Sequence, residues 1–124
     1  MRLEYNNLTE GIIAAAITVH RRLGPGFLES IYENALVIEL IKRGFKVKQQ
    51  YEIVIRYDGI KIGSHRLDLI VNDTIVLETK AIKSTCNIHF VIVKSYLKAV
   101  KKKHGLILNF NKETLEIKRV IYSS

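Results

Sequence analysis

The segment Arg66-Leu67-Asp68-Leu69-Ile70-Val71-Asn72-Asp73-Thr74-Ile75-Val76-Leu77-Glu78-Thr79-Lys80 decides the fold. It reads as two aliphatic strands joined by a turn at Asn72-Asp73. Yet its strands carry Asp68, Glu78 and Lys80. Charged groups inside such strands are costly unless they are paired or bound to a metal. Glu78 and Lys80 are two positions apart, so they share a strand face. Asp68 joins that face only if it lies opposite Glu78. That register pairs Val71 with Ile75 and leaves Asn72, Asp73 and Thr74 as a three-residue loop. A slip of one residue would turn Asp68 to the other side, so a shared site predicts one specific register. Two facing carboxylates repel each other, and paired hard oxygen ligands suit Mg²⁺ or Mn²⁺. The competing account is an Asp/Glu/Lys salt-bridge cluster on an exposed sheet face.

Upstream, Val47, Gln49, Tyr51, Ile53, Ile55 and Tyr57 alternate with more polar neighbours, which predicts a strand. Asp58-Gly59 then predicts a tight hairpin into the strand from about Ile60 to Val71. Two helical patterns come earlier, separated by Leu23-Gly24-Pro25-Gly26. The first is expected to begin near Asn7, capped by Asn7 and Glu10, with Ile13, Ile17 and His20 on one face. The second runs from about Phe27 to Arg43, with Ile31, Ala35, Ile38 and Ile41 as its apolar stripe and Gly44 as its stop.

Downstream, a third strand covers Thr74 to Lys80, and a third helix runs from about Asn87 to Lys103, ended by Gly105. Val93, Leu97 and Val100 lie on one side of this helix, with Lys94, Lys98, Lys101 and Lys102 towards the other. Strands at Leu106–Phe110 and Thr114–Tyr122 complete the chain. The order ααβββαββ predicts a mixed α/β sheet flanked by helices.

The 124 residues fit one domain, and 48% hydrophobic with 26% charged residues is ordinary for a folded protein. A net charge of +8 points to a polyanion, nucleic acid before a membrane surface. A basic protein that is merely well solvated is the plain alternative. The lone Cys86 cannot form an internal disulfide, the N-terminus has no signal-peptide pattern, and no apolar run approaches the ~20 residues that span a bilayer. A cytoplasmic protein without a membrane partner is expected. With a phosphodiester as substrate, a metal on Asp68 and Glu78 would polarise a phosphate oxygen and acidify a bound water. Lys80 could orient that water or neutralise charge developing on phosphorus.

Asp68 followed by Glu78-Thr79-Lys80 resembles the Asp…(Asp/Glu)-X-Lys signature of the PD-(D/E)XK nuclease superfamily. Gly26-Phe27-Leu28-Glu29-Ser30-Ile31-Tyr32 resembles the motif that names its GxxExxY family. So do Leu23-Gly24-Pro25-Gly26, His65-Arg66-Leu67-Asp68-Leu69 and Gly105-Leu106-Ile107-Leu108-Asn109-Phe110, and the likeness runs from about Asn7 to Val120. The resemblance implies a restriction-endonuclease-like core and a metal-dependent nuclease. It implies Lys80, Glu78, Asp68 and Glu29 as catalytic residues. Asp68, Glu78 and Glu29 would hold Mg²⁺ or Mn²⁺. Glu29 early in its helix would also complement the helix dipole, a purely structural role.

The implied substrate is nucleic acid, DNA ahead of RNA, with Arg66, His20, His89, Lys94 and Lys98 as candidate contacts. For each of these a structural role competes: a carboxylate pair for Arg66, a packed helix residue for His20 and His89, a solvated face for the lysines. One departure stands out. The family usually shows His-x-x-Gln at the start of the third helix, and here His89 is followed by Ile92. Isoleucine cannot hydrogen-bond a phosphate, which keeps open a catalytically inactive nucleic-acid-binding module or a complex subunit on the same fold. A homodimer also stays open.

Overall fold

In a computed structural model, which describes residues 2–123 and the side chains of residues 6–123, the quoted segment is the predicted hairpin. Strands β1 (Val47–Tyr57), β2 (Ile60–Val71) and β3 (Ile75–Lys80) form an antiparallel meander. Helices α1 (Arg2–Leu23) and α2 (Glu29–Lys42) precede it. Helix α3 (Asn87–Val100), β4 (His104–Asn109) and β5 (Glu116–Ile121) follow. The order ααβββαββ is the expected one. The five strands lie side by side in chain order, and only β3 and β4 run parallel.

The β2–β3 register pairs Val71 with Ile75, Ile70 with Val76 and Leu69 with Leu77, which is the register a shared site requires. The turn is tight because Asn72 and Asp73 adopt φ of 50° and 52°, a region those two residue types tolerate best after glycine. Thr74 N–H closes it on the Val71 carbonyl at 3.0 Å. Asp58-Gly59 likewise makes a two-residue turn between Tyr57 and Ile60.

The centre of the sheet, β3 and β4 above all, is buried on both faces. Ile12, Ala15, Ala16 and Val19 of α1, with Tyr32, Leu36 and Leu40 of α2, pack on Leu69, Val71, Leu77, Leu106 and Leu108. Val93 and Leu97 of α3 cover Ile53, Leu67, Ile70, Val76, Ile107 and Val120 on the other face. Gly105 permits that approach: a Cβ there would sit 3.1 Å from the Val93 side chain and 3.4 Å from the Val76 carbonyl.

Three expectations are corrected. Helix α1 starts at Arg2, so Asn7 and Glu10 lie inside it and cap nothing; the good helix formers upstream extend the helix past them. The buried stripe of α2 is Tyr32, Leu36 and Leu40, whereas Ile31, Ile38 and Ile41 are 39%, 63% and 58% exposed; only Ala35 of the expected stripe packs at the core's edge. Gly105 does not end α3. That helix stops at Val100, with Lys101 in the left-handed region (φ 59°), and Gly105 is inside β4. Among the described residues, no helix is long and apolar enough to cross a membrane.

Candidate active site

Asp68 sits where β2 loses regular pairing on both sides. Towards β3, the ladder ends at Leu69–Leu77. Towards β1, Gln49–Leu69 and Tyr51–Leu67 are paired while Gln50, in line with Asp68, is skipped. Gln50 adopts φ 53°, a conformation unusual for a non-glycine residue and one that breaks a ladder. Side chains take over the interrupted bonding. Asp68 N–H donates to Glu78 Oε1 at 3.3 Å. Asp68 Oδ2 accepts the Thr79 N–H at 2.9 Å and the Thr79 hydroxyl at 3.0 Å. The two carboxyl groups therefore meet in the gap between β2 and β3.

Glu78 is 6% exposed. Burial, and after it the charge of Asp68, push its carboxyl up to about 8; the Asp68 N–H bond and the Lys80 charge pull the other way. Among the described residues, the ion pairs join Lys42 and Arg43 to Glu39, Lys102 to Asp73 and Lys112 to Glu116; none engages Asp68, Glu78 or Lys80. Lys80 follows Glu78 by two positions on β3, and its charge is felt there without a direct contact.

Helix α2 enters from one side. Gly26 at φ 111° sets the chain's turn into it, and the Tyr32 hydroxyl locks that turn by accepting Phe27 N–H and donating to the Gly24 carbonyl. The Tyr32 ring stacks on Phe110 at 4.7 Å. Glu29 is thereby held at the first turn of α2, where its Oε1 accepts Ala81 N–H at 3.3 Å. Glu29, Ser30, Glu33, Gln50, Asp68 and Ala81 line one open cleft of about 570 Å³. Glu29 does not close with Asp68 and Glu78 into a cage: among the described residues, no three His, Cys, Asp or Glu side chains gather as a ready-made cation site.

Helix α3 enters from the other side. Burial first, then the Glu78 and Asp68 charges, push the Tyr96 phenol up to about 12, which puts that ring within electrostatic reach of the site. Tyr96 also stacks on His65 at 4.2 Å. Beyond Lys80 the chain is fixed by Asn109. Its Oδ1 accepts Ile82 N–H (3.1 Å), and its amide donates to the Ile82 carbonyl (3.0 Å) and to Glu116 (3.1 Å). That amide bond is the main reason the Glu116 carboxyl is drawn down to about 2; the Thr85 N–H and Lys112 add to it against the effect of burial.

Among the described residues, none of the remaining candidates makes a hydrogen bond or ion pair with Asp68 or Glu78. His20 is buried, with Nε2 2.7 Å from the Lys112 carbonyl and its ring 6.3 Å from Phe110, so it ties the end of α1 to the loop after β4. His89 Nδ1 accepts Cys86 N–H at 3.0 Å and caps α3. Arg66 is exposed and opposite Glu52 in the register. Lys94 and Lys98 are exposed on α3, and Ile92 is 37% exposed. The sequence reading did not pick out Glu33, Gln50 and Thr79 as site residues. Glu33 had a readable signal, because it follows Glu29 by one helical turn and so shares its face. The φ of Gln50 left no trace in residue type.

The architecture is thus a mixed α/β domain with two strand carboxylates and a following lysine at the frayed end of a central hairpin, beneath an acidic helix. The chain belongs to the PD-(D/E)XK nuclease superfamily, which it matches over residues 6–120. It also shares its fold with the crystal structure of SSO0001: the TM-score is 0.58 at 18% identity, over 77% of this chain and 50% of that one. The chain thus spans half the length of that protein. No curated protein matches it.

Proposed function

We propose that this chain hydrolyses phosphodiester bonds of nucleic acid, DNA in preference to RNA, with Mg²⁺ or Mn²⁺, and that within its superfamily it is a GxxExxY-type protein of the cytoplasm. The observation carrying this reading is the meeting of Asp68 with the buried Glu78, no cation of the protein within ion-pair distance among the described residues. An unbalanced pair of hard oxygen donors suits a hard divalent cation. The donor set fits on chemistry, although it is a pair and not a closed cage. Asp68 and Glu78 would hold the ion, with Glu29 supporting it across the cleft through water.

When bound there, a divalent ion would supply Lewis-acid polarisation of a phosphate oxygen and of the attacking water. Lys80 orients the attacking water or offsets charge developing on phosphorus. Thr79 holds Asp68 by two hydrogen bonds, so the carboxylate does not have to be ordered when substrate arrives. The net charge of +8 supplies attraction without sequence information.

Ile92 motivates a second reading, a nucleic-acid-binding module or complex subunit without catalysis. Both readings meet the same assay: Mg²⁺-dependent cleavage of mixed DNA and RNA substrates, with Lys80→Ala alongside. Hydrolysis should fall by roughly 100-fold or more in the variant, the scale of removing a preorganised transition-state charge. Undiminished cleavage by Lys80→Ala would count against the enzyme reading; binding without cleavage by the wild type would favour the second.

A further inference from the structure

Glu33 is 7% exposed, and among the described residues no lysine, arginine or histidine reaches it at ion-pair distance. Its carboxylate is satisfied by amides. Gln50 Nε2 donates to both oxygens, at 3.1 Å and 2.9 Å, and Gln49 Nε2 donates to Oε2 at 2.8 Å. Gln49 also donates to Asn34 Oδ1 at 2.7 Å. A buried glutamate is uncommon and ordinarily keeps a charged partner. Here its chief partner, Gln50, holds the left-handed conformation opposite Asp68. Left-handed non-glycine residues persist where surrounding structure over-determines them, and they cluster at functional sites.

We infer that Glu33 and Gln50 form a positioning clamp, in which helix α2 holds the break in β1 open and so keeps the Asp68 carboxylate turned into the cleft for a divalent cation. A regular β1 at Gln50 would continue the β1–β2 ladder unbroken past Asp68, whose own N–H faces β3. The clamp prevents this without touching the cation. This inference rests on the nuclease reading above and adds two residues to it that act through Asp68.

The test uses the full chain and Mn²⁺ as probe. Mn²⁺ binding is followed by titration calorimetry, and hydrogen exchange of the Thr79 amide is followed by NMR without metal, because that amide donates to Asp68 Oδ2. Gln50→Ala and Glu33→Gln should each weaken Mn²⁺ binding by about tenfold or more, the usual scale for losing a partner that orients a metal ligand. Both should also speed Thr79 exchange. Gln50→Gly adopts the same φ without strain, so it isolates the lost link if Gln50→Ala folds poorly, and it should show the same loss. The exchanged pair Glu33→Gln with Gln50→Glu rebuilds an amide–carboxylate contact and should recover both readouts; a merely structural acid would gain nothing from the swap. Wild-type Mn²⁺ affinity and Thr79 exchange in Gln50→Gly, beside loss of binding in Asp68→Ala, would overturn the clamp and leave the nuclease reading standing. A wild type that binds no Mn²⁺, or an Asp68→Ala variant that binds it fully, would overturn both.

Discussion

A single carboxyl group carries a measurable signature of this site. Glu78 keeps its proton to about pH 8 in the folded chain, against 4.5 for an ordinary glutamate. Between those values the folded state binds more protons than the unfolded state, so stability falls as pH rises. The contribution is complete below about pH 4.5 and gone above about pH 8. Without divalent ions, urea unfolding at pH 5 and pH 9 should differ through this group by on the order of 2–4 kcal/mol. Glu78→Gln should flatten that part of the profile and leave the protein more stable than wild type at pH 9. An unchanged pH slope in Glu78→Gln would show that Glu78 is ionised and comfortable, and the case for a cation would weaken with it. At this scale the sequence was informative where chemistry is unusual: Asp68, Glu78 and Lys80 stood out as charges among aliphatic neighbours. Gln50 did not, because nothing in a glutamine announces a left-handed backbone. His20 and His89 each have one ring nitrogen engaged, by the Lys112 carbonyl and the Cys86 N–H, partners that residue type alone does not announce.

Among the elements, helix α2 shows how periodicity can mislead. Tyr32, Leu36 and Leu40 repeat every four residues, while Ile31, Ala35, Ile38 and Ile41 repeat by three or four, so both sets satisfy a helical stripe. Tertiary contacts decide between them: the Tyr32 hydroxyl closes the turn at Gly24 and its ring meets Phe110. Chemical denaturation should therefore separate the two stripes. Leu36→Ala removes a fully buried side chain and should cost roughly 2–5 kcal/mol. Ile38→Ala, at a position 63% exposed, should stay within about 0.5 kcal/mol of wild type. The β2–β3 hairpin was legible by contrast: Asn72-Asp73 marked its turn, and the need to bring two acids together selected the observed register over one slipped by a residue.

Helix α3 gives a second element-level prediction. Gly105→Ala would place a methyl group 3.1 Å from Val93, and overpacking of that kind costs about 1–3 kcal/mol. Combining it with Val93→Ala should cost less than the sum of the two single changes, measured by a double-mutant cycle. Strict additivity would mean that the helix does not press on Gly105.

For the molecule as a whole, charge and topology were easier to read than contacts. The order ααβββαββ and the mixed sheet followed from apolar periodicity and turns, while the position of α3's end depended on a left-handed Lys101 that sequence does not mark. The net charge of +8 makes nucleic-acid affinity a salt-dependent quantity under the proposed function. If Lys94 and Lys98, both exposed on α3, each neutralise a phosphate, Lys94→Ala with Lys98→Ala should lower the slope of log affinity against log salt by about 2, roughly one per lost contact. Fluorescence anisotropy at several salt concentrations checks this, and an unaltered slope would place the footprint elsewhere on the surface.

The lone parallel pairing of β3 with β4 also sets a schedule for assembly. The hairpins of β1, β2 and β3 need only short loops to close, whereas β4 must wait for the whole α3 crossover. Non-local parallel contacts are the slower ones to form. Asp68 and Glu78 therefore come together on a nascent hairpin before Glu29, Tyr96 or Asn109 can reach them, and their mutual repulsion falls on the earliest folding steps. Because the acids of that hairpin are not yet buried, refolding in a stopped-flow experiment should slow as pH rises through the ordinary carboxylate range, and millimolar divalent cations should restore its speed, so that the ion acts as a folding catalyst ahead of any role in chemistry.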